Sequence, residues 1–417
     1  MKFISVISII VVLASTSFGT EARIESMGNT PDFIKDEVSA IKNPATTFGF
    51  GNTLLGSLGK ETKLGDSWVR KEQWFGGWAI YPISPTMKLS VGATLNKPFE
   101  TTQQYEAVSE SGFFTVFDKW NYSPTSTRVN FLDVLGMGTP YGNVYMFAGV
   151  SIKDMISLAL GGRYAGYKQE SNDENKYISI QGGNLGLVYN ILNQHQFEAS
   201  INVDRFVFEG KDESTSPEIS VSSSDLNFDI NARLFWTMSR MNSVVPMFSF
   251  KTTNILGIST SDVGGGIGFN RTLYKGLIWV GGKYLYYSAE FPERIGGEAI
   301  YSPSTNQSLV ENTKESSHKI IASFGVEKKM LWDWFTIRVG GNKVFEYLTK
   351  TDKSDRILEK GLFERDVDAV AWGVALGTKD DALRFDITVS EEFPYSNIFA
   401  GGDEGIMLVR ISAALKF

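Results

Sequence analysis

Apolar and polar residues alternate along several segments of this 417-residue chain, from about residue 143 to the end, and this alternation limits what the chain can fold into. It is cleanest in residues 197–204, 225–234, 383–390 and 409–417. A period of two places successive side chains on opposite faces of a β-strand. The pattern therefore predicts an all-β protein whose strands have one apolar and one polar face, as in a soluble sandwich or a membrane barrel.

The lengths of the connections between these segments favour the barrel. Short connections fall near 153–155, 191–194, 238–240, 272–274, 329–331 and 378–381, and they alternate with long polar ones near 169–177, 209–223, 253–261, 291–315, 351–365 and 393–404. Short periplasmic turns and longer extracellular loops are typical of bacterial outer-membrane barrels. With upstream strands near 48–59, 73–83 and 88–97, the sequence predicts a transmembrane antiparallel up-and-down β-barrel of about 14–16 strands, with Phe417 on the periplasmic side.

The N-terminal residues have the pattern of a secretory signal peptide. Lys2 precedes an apolar run that ends at Ala14, and small and polar residues follow, with cleavage expected near Gly19. An anchoring helix is the alternative, but the run is shorter than the roughly 18–20 residues that span a bilayer. We therefore expect a signal peptide (1–19), a non-strand segment (20–46) and a barrel (47–417), located in the outer membrane of a Gram-negative bacterium.

Aromatic residues make up 13% of the chain and cluster near expected strand ends. Tyr and Trp are enriched where lipid meets water, because one end of each ring is apolar and the other polar. We expect an interfacial girdle, with packing in a soluble core as the alternative. The clusters are Trp74, Phe75, Trp78 and Tyr81, then Tyr284, Tyr286 and Tyr287, then Trp332 and Trp334.

Composition excludes several classes of function. The net charge of −7 argues against nucleic-acid binding, which needs a basic face. Cysteine is absent and His195 and His318 are the only histidines, so neither a thiolate site nor a multi-histidine zinc site can be built. No catalytic constellation or phosphate loop is recognisable. We expect no enzymatic activity, no cofactor and no bound metal.

The polar faces of the strands would point into the lumen of a barrel, and they carry both signs of charge. Such charges can line a water-filled pore, or they can pair across the lumen and brace an internal segment, which is the interpretation we prefer. A selectivity ring of a single sign is not indicated. The candidate lumen charges are Arg233, Arg338, Arg384, Arg410, Asp229 and Asp386.

The long connection at about 98–142 contains the candidate ligand-binding residues. It is polar at first and then contains several aromatic residues, which on an extracellular loop can form a landing site for hydrophobic molecules. Packing on the barrel wall, or a further hairpin, is the simpler alternative. The residues are Phe113, Phe114, Phe117, Trp120 and Tyr122.

Two segments resemble known outer-membrane proteins. Residues 22–28 (Ala-Arg-Ile-Glu-Ser-Met-Gly) and 36–45, which end in Asn43-Pro44-Ala45, resemble the opening of the FadL/PorV superfamily. Residues 409–417 resemble the C-terminal assembly signal of outer-membrane barrels, which ends in a phenylalanine such as Phe417. The chain departs from the superfamily pattern with a single Gly after Met27 and with Thr46-Thr47 after the Asn-Pro-Ala. Beyond these segments, the match extends only to the strand pattern.

The resemblance implies two alternative functions. In the fatty-acid-transporter branch, residues 20–46 would form a plug inside the barrel, and the protein would take up small hydrophobic molecules passively. In the PorV branch, the barrel would bind exported proteins beside a secretion system. A structural barrel of unknown cargo is a third interpretation. A plain loop before the first strand is the alternative for 20–46, although Asn43-Pro44 favours a break in the chain there. Expected partners are outer-membrane lipids, the barrel assembly machinery, and either a hydrophobic ligand or secreted proteins.

Overall fold

A computed structural model describes residues 21–27, 31–64, 67–96, 141–170, 174–192, 194–212, 219–255, 258–291, 294–295, 298–299, 313–330, 334–351, 357–365, 371–378, 382–389 and 408–417. The expected signal peptide (1–19) and the aromatic residues Phe113, Phe114, Phe117, Trp120 and Tyr122 lie outside these residues. Within the described part of the chain, no helix is long and apolar enough to cross a membrane.

Strands dominate the described residues, and short helical turns precede them. The helices are α1 (Glu21–Ser26) and α2 (Ser39–Lys42), with 3₁₀ turns at Pro31–Phe33 and Pro44–Gly49. The strands are β1 (Thr53–Leu64), β2 (Ser67–Ser84), β3 (Met87–Leu95), β4 (Tyr141–Ile152), β5 (Ile156–Glu170), β6 (Glu174–Ile191), β7 (His195–Asp212), β8 (Ile219–Thr237), β9 (Asn242–Ile255), β10 (Ile258–Leu273), β11 (Gly276–Phe291), β12 (Arg294–Ile295), β13 (Glu298–Ala299), β14 (Thr313–Lys329), β15 (Phe335–Thr351), β16 (Ile357–Arg365), β17 (Ala371–Gly377), β18 (Leu383–Val389) and β19 (Leu408–Lys416).

The sheet closes into a barrel of 16 antiparallel strands, which confirms the predicted fold class. Its first and last strands pair, with Thr53 opposite Lys416. The segments β16 and β17 lie along successive parts of β15 and together form one strand of the wall. The pair β12–β13 stands apart as a small separate hairpin. Because β1 pairs with β19, the described sheet does not end in an open edge at its first and last strands.

The wall is apolar outside and largely polar inside, as the alternation requires. Along β7, Glu198, Ser200 and Asn202 are buried on the lumen side, while Ile201 between them is exposed on the outer face. Other exposed outer side chains include Met146, Leu160, Phe248, Ile267, Val280, Ile320 and Phe324. In water such a continuous apolar surface would promote association, whereas in a bilayer it is the favourable arrangement.

Exposed aromatic side chains border the apolar band at both ends of the barrel. Tyr81, Trp236, Tyr274 and Trp334 lie near the short turns, and Tyr164, Tyr284, Tyr286 and Tyr347 lie nearer the long connections. Measured along the barrel axis, the distance from Tyr274 to Tyr284 is roughly 25 Å, for a rise of about 3.3 Å per residue on a strand tilted by about 40°. This spacing matches the height of the lipid-facing band in outer-membrane barrels.

The aromatic clusters expected as girdles are divided between the two faces. Trp74 and Trp78 are 2% and 3% exposed and face the lumen, so they are not girdle residues. Tyr287 likewise faces inward, whereas Tyr284 and Tyr286 on the same strand face outward. Neighbours along a strand point to opposite faces, so a cluster of consecutive aromatics cannot lie entirely in one girdle.

Several strands extend further than the sequence pattern predicted. Much of the expected loops 169–177, 209–223 and 351–365 is strand in β5, β6, β7, β8 and β16. At the end of β7 that leads into a long connection, the apolar and polar faces are exchanged. Arg205 is exposed on the outer face, while Phe206 is buried on the lumen side. The first strand begins at Thr53 rather than near 48, because residues 44–49 form a 3₁₀ turn within the lumen.

Candidate functional site

The N-terminal segment lies inside the barrel and contacts the lumen wall on many sides. We refer to the described residues 22–27 and 31–50 as the plug. Helix α1 packs on β15, β17, β18 and β19, the Pro31–Phe33 turn packs on β9 and β10, and the 44–49 turn packs on β4, β5 and β6. The plug thus extends past residue 46 and lies nearer the short-turn end, where β1 also begins. A segment in this position narrows the passage between the two ends of the barrel.

A chain of alternating charges joins the plug to the wall. The Arg338 guanidinium is 2% exposed and lies 2.6 Å from Asp386 and 2.5 Å from Glu327. Arg23 of α1 lies 2.8 Å from Glu327 and 2.7 Å from Asp36. In order, the chain contains Lys416, Glu37, Arg384, Asp386, Arg338, Glu327, Arg23 and Asp36. Charges of opposite sign offset one another along it, so the network adds no net charge to the lumen.

Glu37 is the plug carboxylate at one end of this network, 3.4 Å from Arg384 and 3.1 Å from Lys416. Burial disfavours its charged form, but the charges of Arg384, Lys416 and Arg23 outweigh burial and lower the pKa of Glu37 to about 2. Burial also opposes the charge of Arg23, yet Glu327 and Asp36 raise its pKa well above the ordinary value. Both groups therefore stay charged at neutral pH.

Arg233 of β8 holds the central part of the plug. Its Nη1 donates to the backbone carbonyls of Pro31 and Ile34 at 2.9 and 3.1 Å, and its Nε donates to Glu198 at 2.8 Å. Lys283 of β11 lies 2.9 Å from the Asp32 carboxylate. A guanidinium can bind several carbonyls at once because its donors are fixed in one plane.

Phe33 inserts its side chain into a socket in the wall. Its ring packs against Trp279, and its carbonyl accepts a 2.7 Å hydrogen bond from Asn270 Nδ2. A Cβ atom on Gly268 or Gly281 would lie 2.6 or 2.5 Å from the ring. These glycines make room for the ring, and this contact belongs to a buried apolar cluster of Met27, Phe33, Ile34, Phe235, Val245, Met247 and Trp279.

Asn43-Pro44-Ala45 docks on β5, β6 and β7. Asn43 Nδ2 donates to the carbonyls of Leu187 and Ala199 at 3.2 and 3.1 Å, and its Oδ1 accepts from the Ala45 amide. Asn43 also closely approaches Gly186, where a larger residue would clash. Asn43 therefore supplies wall contacts that an aliphatic residue would lack, and Pro44 starts the 3₁₀ turn.

The remaining candidate residues have the following positions. Arg410 lies 3.0 Å from Glu25 of the plug, and Asp229 accepts a hydrogen bond from Asn231. Phe417 is exposed beside the start of β1, where its amide donates to the Asn52 carbonyl. Sequence reasoning did not single out Phe33 or Glu327, and it included Glu37 only as part of the 36–45 segment that resembles the superfamily. The pairing of Phe33 with distant glycines gives no local signal in the sequence.

The two histidines lie toward opposite ends of the barrel. His195 is at the short-turn end, where its Nδ1 accepts from the Thr237 amide at 3.1 Å. His318 faces outward from β14, nearer the long connections, and its Nδ1 lies 2.6 Å from the Tyr284 hydroxyl. No group of metal-ligating side chains is found among the described residues.

A cavity of about 100 Å³, open to solvent on one side, lies between the plug and strands β7, β8 and β9. Ile24, Val38 and Met247 supply apolar surface, while Asn43 and Asn231 supply amides. Apolar walls with a few polar groups are typical of small-molecule sites. The cavity is therefore the candidate binding site next to the plug.

No family model matches the sequence, and no curated protein matches it either. Among solved structures, the toluene transporter TodX of Pseudomonas putida is similar at 11% identity and a TM-score of 0.30, over 95% of this chain and 96% of that chain. The outer-membrane protein OmpT of Vibrio cholerae is similar at 11% identity and a TM-score of 0.33, over 87% and 94%. The iron transporter FrpB of Neisseria meningitidis has 11% identity and a TM-score of 0.34, over 83% and 63%. At these values the similarity extends no further than the general barrel architecture.

Proposed function

We propose that the protein is an outer-membrane barrel that takes up small hydrophobic molecules passively, with the plug as its gate. The observation that carries the proposal is the cavity between the plug and the wall, on a path that the plug narrows. The exposed apolar band supports insertion into a bilayer. The proposal includes no catalytic step and no cofactor.

The lumen wall on the far side of the plug, toward the long connections, contains a row of apolar side chains. Ala165, Ile180 and Phe206 lie side by side in register on β5, β6 and β7, and all three are fully buried. These residues interrupt a lumen wall that is largely polar. A hydrophobic molecule that displaces the groups covering this row can move from it to the cavity while keeping part of its surface away from water.

The attachments of the plug suit a gate. They are ion pairs, hydrogen bonds and the apolar contacts of Met27, Phe33 and Ile34, so each can break and form again without unfolding the wall. Because the ion pairs are buried, separating a single partner would leave an uncompensated charge. We expect the plug to remain closed at rest and to move when the cargo supplies compensating contacts.

A disulfide that locks the plug tests the proposal, since the native chain has no cysteine. Thr47 Oγ1 of the plug and Ser90 Oγ of β3 are 3.0 Å apart, which suits the double variant T47C/S90C. The hydroxyls of Ser151 and Ser157 are 2.9 Å apart within the wall, so S151C/S157C forms a matched disulfide that leaves the plug free.

Uptake of a radiolabelled aromatic hydrocarbon into proteoliposomes is the measurement. Oxidised T47C/S90C should lose most uptake and recover it on reduction, while oxidised S151C/S157C should behave like the native protein. Equal uptake by all three proteins in both redox states would overturn the gating role of the plug. Stoichiometric capture of an exported protein, without hydrocarbon flux, would favour the PorV-like alternative instead.

A further inference from the structure

The lumen wall of β6, β7 and β8 carries an amide-rich surface beside the cavity. Asn184, Asn202 and Asp229 lie side by side in register, and the next row toward the short turns contains Gly186, Ser200 and Asn231. Ser200 and Asn231 line the cavity directly. We call Asn184, Asn202, Asn227 and Asn231 the amide wall. Its residue Asn231 lines the cavity, and the other three lie beyond it toward the long connections.

Asn202 is the central residue of this wall and is only 3% exposed. Neither its Nδ2 nor its Oδ1 has a hydrogen-bond partner among the described residues. Asn227, 4% exposed, likewise has an Nδ2 without a partner there, while its Oδ1 accepts from the Asn254 amide. A buried amide without a partner is unfavourable, so these groups suit a ligand that both donates and accepts hydrogen bonds.

The arginines of this wall are already engaged with carboxylates. Arg163 forms a two-point contact with Asp204, at 2.5 and 2.6 Å. Arg233 binds Glu198 and the plug carbonyls, and Lys251 stands opposite Asp229 in register. A bound carboxylate would meet Asp204, Asp229 and Glu198 without an uncommitted guanidinium. The cavity lining is balanced in charge, with Asp32 and Glu198 against Lys42 and Arg233, so it gives an anionic head group no guanidinium that is not already engaged.

The apolar row of Ala165, Ile180 and Phe206 begins four residues beyond Asn202 along β7, or roughly 13 Å at about 3.3 Å per residue. Asp204, which pairs with Arg163, lies on the inner face of β7 between Asn202 and Phe206, so a molecule with a polar head on the amide wall reaches this row with the far end of its chain. We propose that the lumen binds an uncharged amphiphile, with an alcohol or amide head and an alkyl chain, in preference to a fatty acid of the same length. This inference rests on the proposed uptake function and names its substrate class.

Binding of chain-matched probes to the full protein in lipid nanodiscs tests the inference. The probes are radiolabelled dodecanol, dodecanoate and dodecylamine at pH 8, each corrected for partition into empty nanodiscs. Dodecanol should bind at least about tenfold more tightly than dodecanoate. Equal affinity for the two, or tighter binding of dodecanoate, would overturn the inference.

Variants at Asn202 separate the amide wall from general hydrophobic binding. N202L should weaken dodecanol binding about tenfold, whereas N190L, which changes an asparagine near the β6–β7 turn, should leave it unchanged. N202D adds a carboxylate and should shift the preference toward dodecylamine, so it tests the site even if N202L folds poorly. Unchanged preferences in N202D would contradict the assigned site.

The outcomes distinguish failure of this inference from failure of the uptake function. If oxidised T47C/S90C blocks hydrocarbon uptake while dodecanol binds no more tightly than dodecanoate, the result would support the gating role of the plug. It would also show that the amide wall is not a head-group site. If the lock has no effect on uptake and none of the three probes binds, both proposals fall.

Discussion

Phe33 of the plug and Trp279 of β11 lie with their ring centroids 5.9 Å apart and their planes tilted by 42°, and neither side chain is exposed. The contact exists because Gly268 and Gly281 have no side chain where the Phe33 ring lies. An aromatic residue of the plug thus fits a socket formed by two strands that are distant from it in sequence. The socket fixes the plug by shape, whereas the ion pairs fix it by charge.

Filling the socket should displace the plug. Gly281→Val places a side chain where the Phe33 ring now lies, whereas Gly282→Val places one on the outer face, where the nearest atom is 4.0 Å away. We expect limited proteolysis of folded protein to cleave the plug faster in G281V than in the native chain, and G282V to match the native rate. Equal rates in the two variants would show that the socket does not hold the plug.

Removing one partner of a buried ion pair should cost more stability than removing one partner of an exposed pair, because it leaves an uncompensated buried charge. Asp386→Asn removes a fully buried carboxylate between Arg338 and Arg384, and we expect the free energy of unfolding to fall by roughly 3 kcal/mol. Asp154→Asn breaks an exposed pair with Lys88 and should cost about 0–1 kcal/mol. Urea titration in lipid vesicles measures both changes. A similar decrease in the free energy of unfolding in the two variants would contradict a structural role for the buried ion pairs.

The alternation of residues was sufficient to predict the fold class, because the bilayer imposes one apolar face on every wall strand. The alternation did not predict the parts of the strands that extend beyond the lipid band. Both faces of a strand can vary there, so the ends of β7 and β8 near the long connection were assigned to a loop. Trp74 and Trp78 were placed in a girdle because aromatic content alone does not specify a face.

The sequence predicted less of the candidate site than of the fold. Charges at Arg338, Arg384 and Asp386 follow from their positions on polar strand faces. The contacts with the plug do not, because Arg384 and Glu37 are 347 residues apart, and Glu327 and Arg23 are 304 residues apart. Only the Glu327–Arg338 pair, which lies across the β14–β15 hairpin, is local. Asn43 could be singled out by a motif, but its hydrogen bonds to Leu187 and Ala199 depend on the three-dimensional fold.

Attachment of the plug should depend on pH only in strong acid. The pKa of Glu37 is lowered from 4.5 to about 2, so its charge stabilises the attached state above pH 4.5. That stabilisation is lost as pH falls through about 2, because protonation removes its attraction to Arg384 and Lys416. An environment-sensitive dye on K42C, an exposed plug position, should report detachment below pH 4.5 and no change between pH 5 and 8.

The control for this pH response is Glu37→Gln in the same labelled protein. Its side chain is neutral at every pH, so the dye signal should lose the component that Glu37 contributes between pH 4.5 and 2. An identical titration in the two proteins would show that another group controls attachment. Detachment centred at 4.5 in the native chain would contradict the stabilising contacts of Glu37.

The outer face of the wall should be sensitive to charge according to its depth in the bilayer. Ile267 points outward from the middle of β10 and is 60% exposed in the absence of lipid. Ile267→Lys should lower the free energy of unfolding in vesicles by about 2–4 kcal/mol, because the ammonium group must enter the apolar core of the membrane. Leu192→Lys, in the short turn after β6, should cost about 0–1 kcal/mol, because that end of the barrel meets water. Equal costs at the two positions would mean that the band around Ile267 does not face lipid, and the proposed membrane location would then fail.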